Sequence, residues 1–281
     1  MNGRFEGWYF KHQVAGKSLA VIPGRADDSA FIWVITDKKS YSVLYPLSEY
    51  DKRADRIRVG NSTFSASGIS VDIQSAELSL VGNIMYENLT PIRGDIMGPF
   101  RFFPMECRHE VISMNHAIHG TVILNGETQN FSVGKGYIEA DSGRSFPSEY
   151  TWIHSNAFET DCSIMVSVAR IPFYGLRFWG CICVVMINGR EYRLATYKGV
   201  KIQRCERGAI ELRQGKFRLH ISIGEHTGQI LPAPSSGKMS RSIRETLSCP
   251  AHFRFTQGNK CLFEGTSDYS SYEYMMDTTI L

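Results

Sequence analysis

The middle of the sequence carries two carboxylates at a spacing suited to acid–base chemistry. Glu139 and Asp141 lie two residues apart in a strand-like run, so both side chains are predicted on one face of a strand. If that face lines an apolar cavity, burial raises a carboxyl pKa and keeps the group protonated near neutral pH. A neighbouring carboxylate raises one pKa of the pair further. Such an acid can donate a proton to a bound ligand, and Glu106 is a third candidate for this role.

Rings and polar groups suited to binding such a ligand accompany the acids. Aromatic faces stabilise a cation, and histidine accepts protons near neutral pH. Trp152, His154 and Asn156 alternate along one strand-like run and are expected on one face. The predicted substrate-binding residues are Trp8, Tyr9, Tyr137, Trp152, His154, Asn156 and His109.

The same residues also have a structural interpretation. Carboxylates beside a glycine-rich break commonly lie in solvent or cap a turn, which would leave Glu139 and Asp141 outside any cavity. Trp8 and Trp152 are equally suited to filling the core of a β-barrel. Arg144 next to a glycine turn could pair with one of the acids, and its charge would keep that acid ionised.

Other chemistries find little support in the sequence. His116 and His119 face opposite sides of a strand and no carboxylate stands at a recognised ligand spacing, so no metal site is predicted. Because a nucleophile elbow, a phosphate-binding loop and a dinucleotide fingerprint are all missing, no cofactor is predicted. The seven cysteines are scattered, which indicates no disulfide framework. Cys181 and Cys183 are expected as buried thiols of an apolar strand.

Composition and charge narrow the class of protein and its partners. The chain has 31 Lys plus Arg against 28 Asp plus Glu, and this weak net charge of +3 predicts no nucleic-acid partner. The longest apolar runs are far shorter than the roughly 20 residues of a membrane-spanning helix, so no integral membrane segment is expected. Residues 1–10 carry Arg4 and Glu6 where a secretory signal would be apolar, so the expected location is the cytoplasm. The oligomeric state stays open.

Short apolar runs between glycine-rich turns predict an all-β protein. Residues 49–58 are predicted to form a charged linker, and residues 91–104 a crossing loop. Helical periodicity is scarce. Only residues 239–247, and parts of residues 105–118 that fit a strand equally well, are predicted to form a turn or two of helix.

The strand pattern of the first half recurs about 140 to 150 residues later, which indicates a duplicated unit. Asn125-Gly126 and Asn188-Gly189 are predicted hairpin turns, since both residue types accept positive φ. Two antiparallel β-barrel halves are therefore predicted, residues 1–145 and residues 146–281, each with room for one small ligand. A pair of β-sandwiches is the alternative.

Three blocks carry a family resemblance: residues 5–11 (Phe-Glu-Gly-Trp-Tyr-Phe-Lys), residues 98–109 with Gly-Pro-Phe and Pro-Met-Glu-Cys-Arg-His, and residues 136–152. Together they resemble the tocopherol cyclase family and its relatives, the carotenoid hydratases and the AttH-like, lipocalin-like proteins. The likeness continues through residues 244–247 and 263–265. It implies two lipocalin-like β-barrel halves and a pocket for a prenylated or otherwise hydrophobic substrate. In the family's plant-type enzymes, a phenol oxygen adds across a prenyl double bond.

These observations favour an enzyme of the isomerase or lyase type that binds a hydrophobic, prenylated small molecule and catalyses acid-assisted cyclisation or hydration of an alkene. The alternative is a non-catalytic, lipocalin-like carrier or sensor, because an apolar cavity retains a hydrophobic ligand by burial alone. A third interpretation makes the β halves an interaction module, in which residues 134–158 are a connector.

Overall fold

The computed structural model describes residues 4–54 and 56–276, and these consist almost entirely of β-strands. The outer limits of the predicted domains, residues 1 and 281, lie outside the described residues, as does Asp55 of the predicted linker. Three 3-10 helices are present, Leu47–Glu49, Gly98–Phe102 and Thr196–Lys198. The strands are β1 (Phe5–Val14), β2 (Lys17–Arg25), β3 (Ser29–Thr36), β4 (Ser40–Pro46), β5 (Tyr50–Lys52), β6 (Arg56–Val59), β7 (Ser62–Ser65), β8 (Gly68–Gln74), β9 (Ser79–Glu87), β10 (Cys107–Leu124), β11 (Glu127–Asn130), β12 (Gly134–Gly143), β13 (Tyr150–Ser155), β14 (Cys162–Phe173), β15 (Leu176–Ile187), β16 (Arg190–Ala195), β17 (Lys201–Glu206), β18 (Ala209–Gln214), β19 (Phe217–Ile223), β20 (Gln229–Ser235), β21 (Lys238–Gln257) and β22 (Lys260–Met275).

The first sheet has the strand order β4-β3-β2-β1-β12-β10-β9-β8-β7-β6-β5, with β11 paired to β10. Alternate residues of neighbouring strands, among them Phe10, Val21 and Ile138, point to one face and form a hydrophobic core. Strand β6 contacts β2 and β3 from the other end of the order, so the sheet is rolled around this core. Within the described residues, the end strands β4 and β5 do not pair, and the sheet is not a closed barrel.

The second sheet has the order β16-β15-β14-β13-β22-β21-β19-β18-β17, with β20 paired to β21. Its own core contains Ile153, Phe253 and Phe255. Strand β16 contacts β18, and the side chain of Gln214 in β18 forms hydrogen bonds to β16. The Gln214 amide accepts the Ala195 N–H at 3.0 Å and donates to the Arg193 carbonyl at 3.1 Å. A glutamine thus bridges two strands that no backbone ladder joins.

The chain forms two compact units, each built on one of the sheets. Of the described residues, the first unit takes 4–54, 56–92, 107–145 and 231–242. The second unit takes 93–106, 146–230 and 243–276. One border between the units falls between residues 145 and 146, where the sequence predicts the domain boundary. Two shorter segments cross this division: Arg93–Glu106 belongs to the second unit, and Leu231–Ser242 belongs to the first. The predicted domains themselves stay a prediction.

Two predictions of local structure are wrong. Residues 239–247, predicted as a helical turn, belong to the long strand β21, in which Ile243 and Glu245 are buried and Arg244 between them is exposed. The predicted linker at residues 49–58 contains β5 and β6, and Ile57 is a core residue. In both cases pairing with strands distant in sequence overrides the local preference.

Several other local predictions are confirmed. Asn125-Gly126 and Asn188-Gly189 adopt positive φ and join directly paired strands. Cys181 and Cys183 are buried in β15, and all seven cysteines are free thiols. Residues 107–118 are strand, within β10. No helix in the described part of the chain is long and apolar enough to cross a membrane.

Candidate active site

Strand β12 places Tyr137, Glu139 and Asp141 on one face of the first sheet, as their alternation predicts. Ile138 on the opposite face packs into the hydrophobic core. In β1, Tyr9 lies opposite Glu139. In β10, His109 lies opposite Asp141. Three neighbouring strands therefore bring these side chains together on the face turned away from the core.

A histidine lies between the two acids. His109 Nδ1 is 3.0 Å from Asp141 Oδ1, and His109 Nε2 is 3.3 Å from Glu139 Oε2. The Tyr137 hydroxyl donates to Glu139 Oε2 at 2.5 Å. The side chains of His109, Glu139 and Asp141 are 12%, 7% and 22% exposed. We call His109, Tyr137, Glu139 and Asp141 the His-acid cluster.

His109 is the protonated, positively charged member of the cluster. Burial disfavours a charged His109, but the Glu139 and Asp141 carboxylates outweigh it and raise the pKa of His109 well above its usual value. Burial, together with the Glu139 carboxylate, also raises the pKa of Tyr137 well above its usual value. At neutral pH the cluster therefore holds an imidazolium and a neutral phenol.

The two ring nitrogens of His109 have different environments. Nδ1 is at hydrogen-bonding distance from Asp141, which anchors the ring. Nε2 is buried and near Glu139, but among the described residues it has no aligned hydrogen-bond acceptor. A charged N–H group of this kind is oriented by one partner and remains able to donate to a further acceptor.

Three other residues border the cluster. The Tyr9 ring packs edge-on against Tyr137, with centroids 6.5 Å apart. Lys11 lies opposite Tyr137 and is 1% exposed. Cys107 Sγ lies 3.7 Å from Asp141 Oδ1. Sequence reasoning missed Lys11 and Cys107, although a lysine inside an aromatic strand is a recognisable signal for a buried charge.

The cluster is also the group in the described chain that could hold a metal ion. Ligand atoms of His109, Glu139 and Asp141 lie within 4.8 Å of one another. A histidine ligand must offer an unprotonated nitrogen to the metal. Since both ring nitrogens of His109 face carboxylates and its pKa is raised, the arrangement fits an ion pair better than a metal centre. The predicted absence of a metal stays a prediction.

Trp8 lies apart from the cluster. As the neighbour of Tyr9 in β1 it points to the other face, where it packs against the core of the first sheet. Its ring stacks on Phe10 at 6.4 Å, and Lys52 Nζ lies 5.4 Å from its centroid. This placement agrees with the structural interpretation of Trp8.

The remaining predicted residues belong to the second unit. Trp152 and His154 share a face of β13, are buried, and stack at 6.4 Å. Asn156 is buried just beyond the end of β13. Glu106 is half-buried before β10. The structure thus brings Tyr9, His109, Tyr137, Glu139 and Asp141 together in the first unit, whereas Trp152, His154, Asn156 and Glu106 belong to the second unit.

The second unit has a buried acid and a half-buried acid that sequence reasoning missed. Glu245 in β21 is 1% exposed and lies opposite Glu273 in β22. Glu273 also lies opposite Trp152 and accepts a hydrogen bond from the Tyr150 hydroxyl at 2.5 Å. Ile243 and Glu245 are buried on either side of the exposed Arg244, a strand alternation that the helical interpretation of this segment obscured.

Residues 86–274 match the family model described as tocopherol cyclase-like, which is more than half of the 281-residue chain. The chain belongs to the tocopherol cyclase-like family. The match includes β10 and β12, and with them the whole His-acid cluster. No curated protein matches the chain.

Solved structures resemble this tocopherol cyclase-like chain along almost its whole length. A protein described as AttH from Nitrosomonas europaea has a TM-score of 0.59 at 13% identity, covering 97% of this chain and 92% of that one. Kievitone hydratase from Nectria haematococca has a TM-score of 0.57 at 12% identity, and the match covers 97% of this chain and 89% of that one. CghA with Sch210972 has a TM-score of 0.58 at 9% identity, and the match covers 98% of this chain and 89% of that one. At these identities the likeness shows the fold.

Proposed function

We propose that this tocopherol cyclase-like protein binds a hydrophobic, prenylated small molecule and catalyses acid-assisted cyclisation or hydration of an alkene, with the His-acid cluster as its proton source. The observation that carries the proposal is the environment of His109. One ring nitrogen is anchored by Asp141, and the other is buried, with no aligned hydrogen-bond acceptor among the described residues. An anchored imidazolium with a buried N–H group can donate that proton to an alkene held against it.

The proposed first step moves a proton and a charge together. His109 Nε2–H donates its proton to one alkene carbon, the π electrons form the new C–H bond, and the other carbon becomes a tertiary cation. Because the acid is an imidazolium, its positive charge passes to the substrate with the proton, and His109 is left neutral. The Glu139 and Asp141 carboxylates stabilise the charge before and after the transfer.

The second step captures the cation. A phenol oxygen of the same substrate, or a water molecule, forms a C–O bond and releases its proton to the now neutral His109. Ring closure then gives an isomer of the substrate, whereas capture of water gives a hydrate. Tyr9 and Tyr137 present aromatic faces beside the cluster that suit a carbocation.

This division of roles refines the sequence hypothesis. His109 is the proposed catalytic acid and Asp141 a positioning residue, while Glu139 stabilises charge and holds the Tyr137 hydroxyl. The family is described as cyclase-like, and one solved structure with this fold is named a hydratase, which supports both outcomes of the second step.

We further propose that the two units are lipocalin-like barrels derived by duplication. Both sheets contain four consecutive strands in a meander, β1 to β4 and β13 to β16, whose first strand pairs with a later one, β12 or β22. The next strand in each order is the longest of its unit, β10 or β21. This shared order supports a common origin, and each core lies inside a rolled sheet.

The experiment uses a prenylated hydroquinone in deuterium oxide. Wild-type protein should yield a cyclic isomer or a hydrate carrying one deuterium on carbon, detected by mass spectrometry. His109→Gln should lower the rate by about 10²- to 10⁴-fold, the usual contribution of general acid–base catalysis. Ligand retention, measured by native mass spectrometry, should change little.

His119→Gln is the matched control, since His119 lies on the same strand and is 47% exposed on its side chain. It should leave the rate unchanged. Equal rates for His109→Gln and wild type would overturn the proposed acid. A co-purifying hydrophobic ligand that the wild type never converts would favour the carrier alternative, and full activity only after addition of zinc would indicate a metal centre.

A further inference from the structure

The second unit exposes three large apolar side chains on two segments that pack together. Tyr174 and Leu176, at the turn joining β14 to β15, are 77% and 76% exposed. Phe102, at the end of the 3-10 helix Gly98–Phe102, is 75% exposed. We call these residues, with Arg101 and Arg177, the aromatic tip. Single exposed apolar residues are ordinary, but a contiguous group marks an interaction site.

Phenylalanine rings fix the two segments to each other. Phe173 meets Phe100 at 6.1 Å and Phe103 at 5.4 Å, both edge to face. Phe100 stacks on Phe178 at 5.9 Å. The tip therefore rests on a packed aromatic base, and its exposed side chains are held near one another.

The turn itself contains an unusual residue. Tyr174 and Gly175 have φ values of 48° and 83°, the two-residue turn that Asn125-Gly126 and Asn188-Gly189 form elsewhere in this chain. Tyrosine accepts positive φ much less readily than asparagine does. The Tyr174 ring packs edge to face on Phe173 at 4.8 Å but remains 77% exposed, so most of it is available for a further contact.

The two segments that form the aromatic tip carry only positive charges. Residues 98–104 and 171–180 contain Arg101 and Arg177 but no aspartate or glutamate. The Arg101 guanidinium lies 4.6 Å from the centroid of Phe102. A second copy of this chain docked symmetrically on the tip would place like charges against each other, which disfavours self-association through this surface.

We propose that the aromatic tip docks this protein on an anionic phospholipid surface. Aromatic side chains favour the headgroup level of a bilayer, leucine favours the acyl boundary below it, and arginines attract anionic headgroups. A hairpin end bearing all three inserts without exposing unpaired backbone groups, because its strands pair up to Phe173 and Leu176. The docking is independent of catalysis, since it needs neither substrate nor the His-acid cluster.

Flotation with lipid vesicles tests the proposal. Wild-type protein should float with phosphatidylcholine vesicles containing about 30% phosphatidylserine and bind pure phosphatidylcholine much more weakly. Arg101→Gln with Arg177→Gln should weaken binding by about fivefold for each charge removed and reduce its salt dependence. Absence of wild-type binding to the anionic vesicles would overturn the proposal.

Tyr174→Asn is the decisive variant, because it creates the Asn-Gly turn found at Asn125-Gly126 and Asn188-Gly189. Its thermal midpoint should stay close to that of the wild type, because the better turn residue offsets the lost Phe173–Tyr174 ring contact, while vesicle affinity falls by about tenfold. Leu176→Asn should weaken binding similarly. Leu44→Asn is the control, since Leu44 is 66% exposed in the first unit and should have no effect.

Two further results would count against the proposal. If both tip variants float as the wild type does, the tip is not the docking surface. If the wild type is a dimer by analytical ultracentrifugation and Tyr174→Asn is a monomer with unchanged vesicle binding, the tip serves self-association instead.

Discussion

At the scale of single residues, the chemistry of the site depends on which group carries the proton. The sequence predicts a carboxyl, Glu139 or Asp141, as the acid, since burial and a neighbouring carboxylate both favour the protonated form. His109 changes this outcome because it stands between Glu139 and Asp141 and takes the proton as an imidazolium. A cationic acid transfers charge to the substrate without separating charge, which is the less costly route in a buried site.

Asp141→Asn should lower the pKa of His109 and displace the pH dependence of catalysis. In the wild type the folded pKa of His109 is raised, so its contribution to stability is complete below pH 6.5 and is lost as pH rises through that folded pKa. Activity that needs the imidazolium should fall over the same range. In the variant, the midpoint of the His109 titration and the midpoint of the pH–rate profile should both move to lower pH. NMR titration of the imidazole and pH–rate profiles measure the two shifts, and a fall in rate without displacement of the profile would contradict the positioning role.

At the scale of elements, β12 serves two functions with its two faces. Tyr137, Glu139 and Asp141 face the site, while Gly136 and Ile138 face the core. Gly136 is needed for a steric reason. A Cβ at this position would lie 2.1 Å from Nε2 of His116, a buried ring packed 4.6 Å from the Tyr86 ring.

Gly136→Ala should therefore destabilise the protein by about 2 kcal/mol, a typical cost of overpacking a core. The measurement is urea unfolding at neutral pH. Gly7→Ala is the matched control on the neighbouring strand β1, because the nearest atoms to its added Cβ are 3.9 Å away. If the two variants are equally stable, the close approach of His116 does not constrain β12.

At the scale of the whole molecule, stability depends on two separate cores, one for each rolled sheet. The first encloses a polar group of three residues. His12 Nε2 is 2.5 Å from the Tyr86 hydroxyl, and the centroid of the His116 ring lies 4.6 Å from that of the Tyr86 ring. Burial lowers the pKa of His12 to about 3 and that of His116 to about 4, so both are neutral in the folded protein.

The fold should be sensitive to mild acid for this reason. Both folded pKa values are depressed, so the stability linked to these histidines is present above pH 6.5 and is lost as pH falls toward 4. Between pH 6.5 and 5 each histidine should lower the free energy of unfolding by about 2 kcal/mol. His109 does not contribute in this range, because it is protonated in the folded and unfolded states alike.

Urea unfolding at several pH values measures the slope of the free energy of unfolding against pH. His116→Gln lowers absolute stability but should also flatten the pH dependence, whereas His119→Gln, on the exposed side of β10, should leave the slope unchanged. An unaltered slope in His116→Gln would show that its protonation is not linked to unfolding.

The sequence by itself determined the all-β class, both Asn-Gly hairpins and the common face of Glu139 and Asp141. Each of these follows from turn chemistry or from the two-residue period of a strand, which act over a few neighbouring positions. The wrong assignments at residues 49–58 and 239–247 arose where pairing with distant strands overrode such local preferences.

Only the tertiary structure decided that His109 joins the two acids. Its strand β10 carries two register irregularities against β12, between Val111 and Ser113 and between Ser113 and His116, and no local pattern marks them. A shift of one residue moves a side chain to the opposite face of a sheet. The meeting of His109 with Glu139 and Asp141 therefore depends on the pairing of strands about 30 residues apart, a property of the folded sheet rather than of any short stretch of sequence.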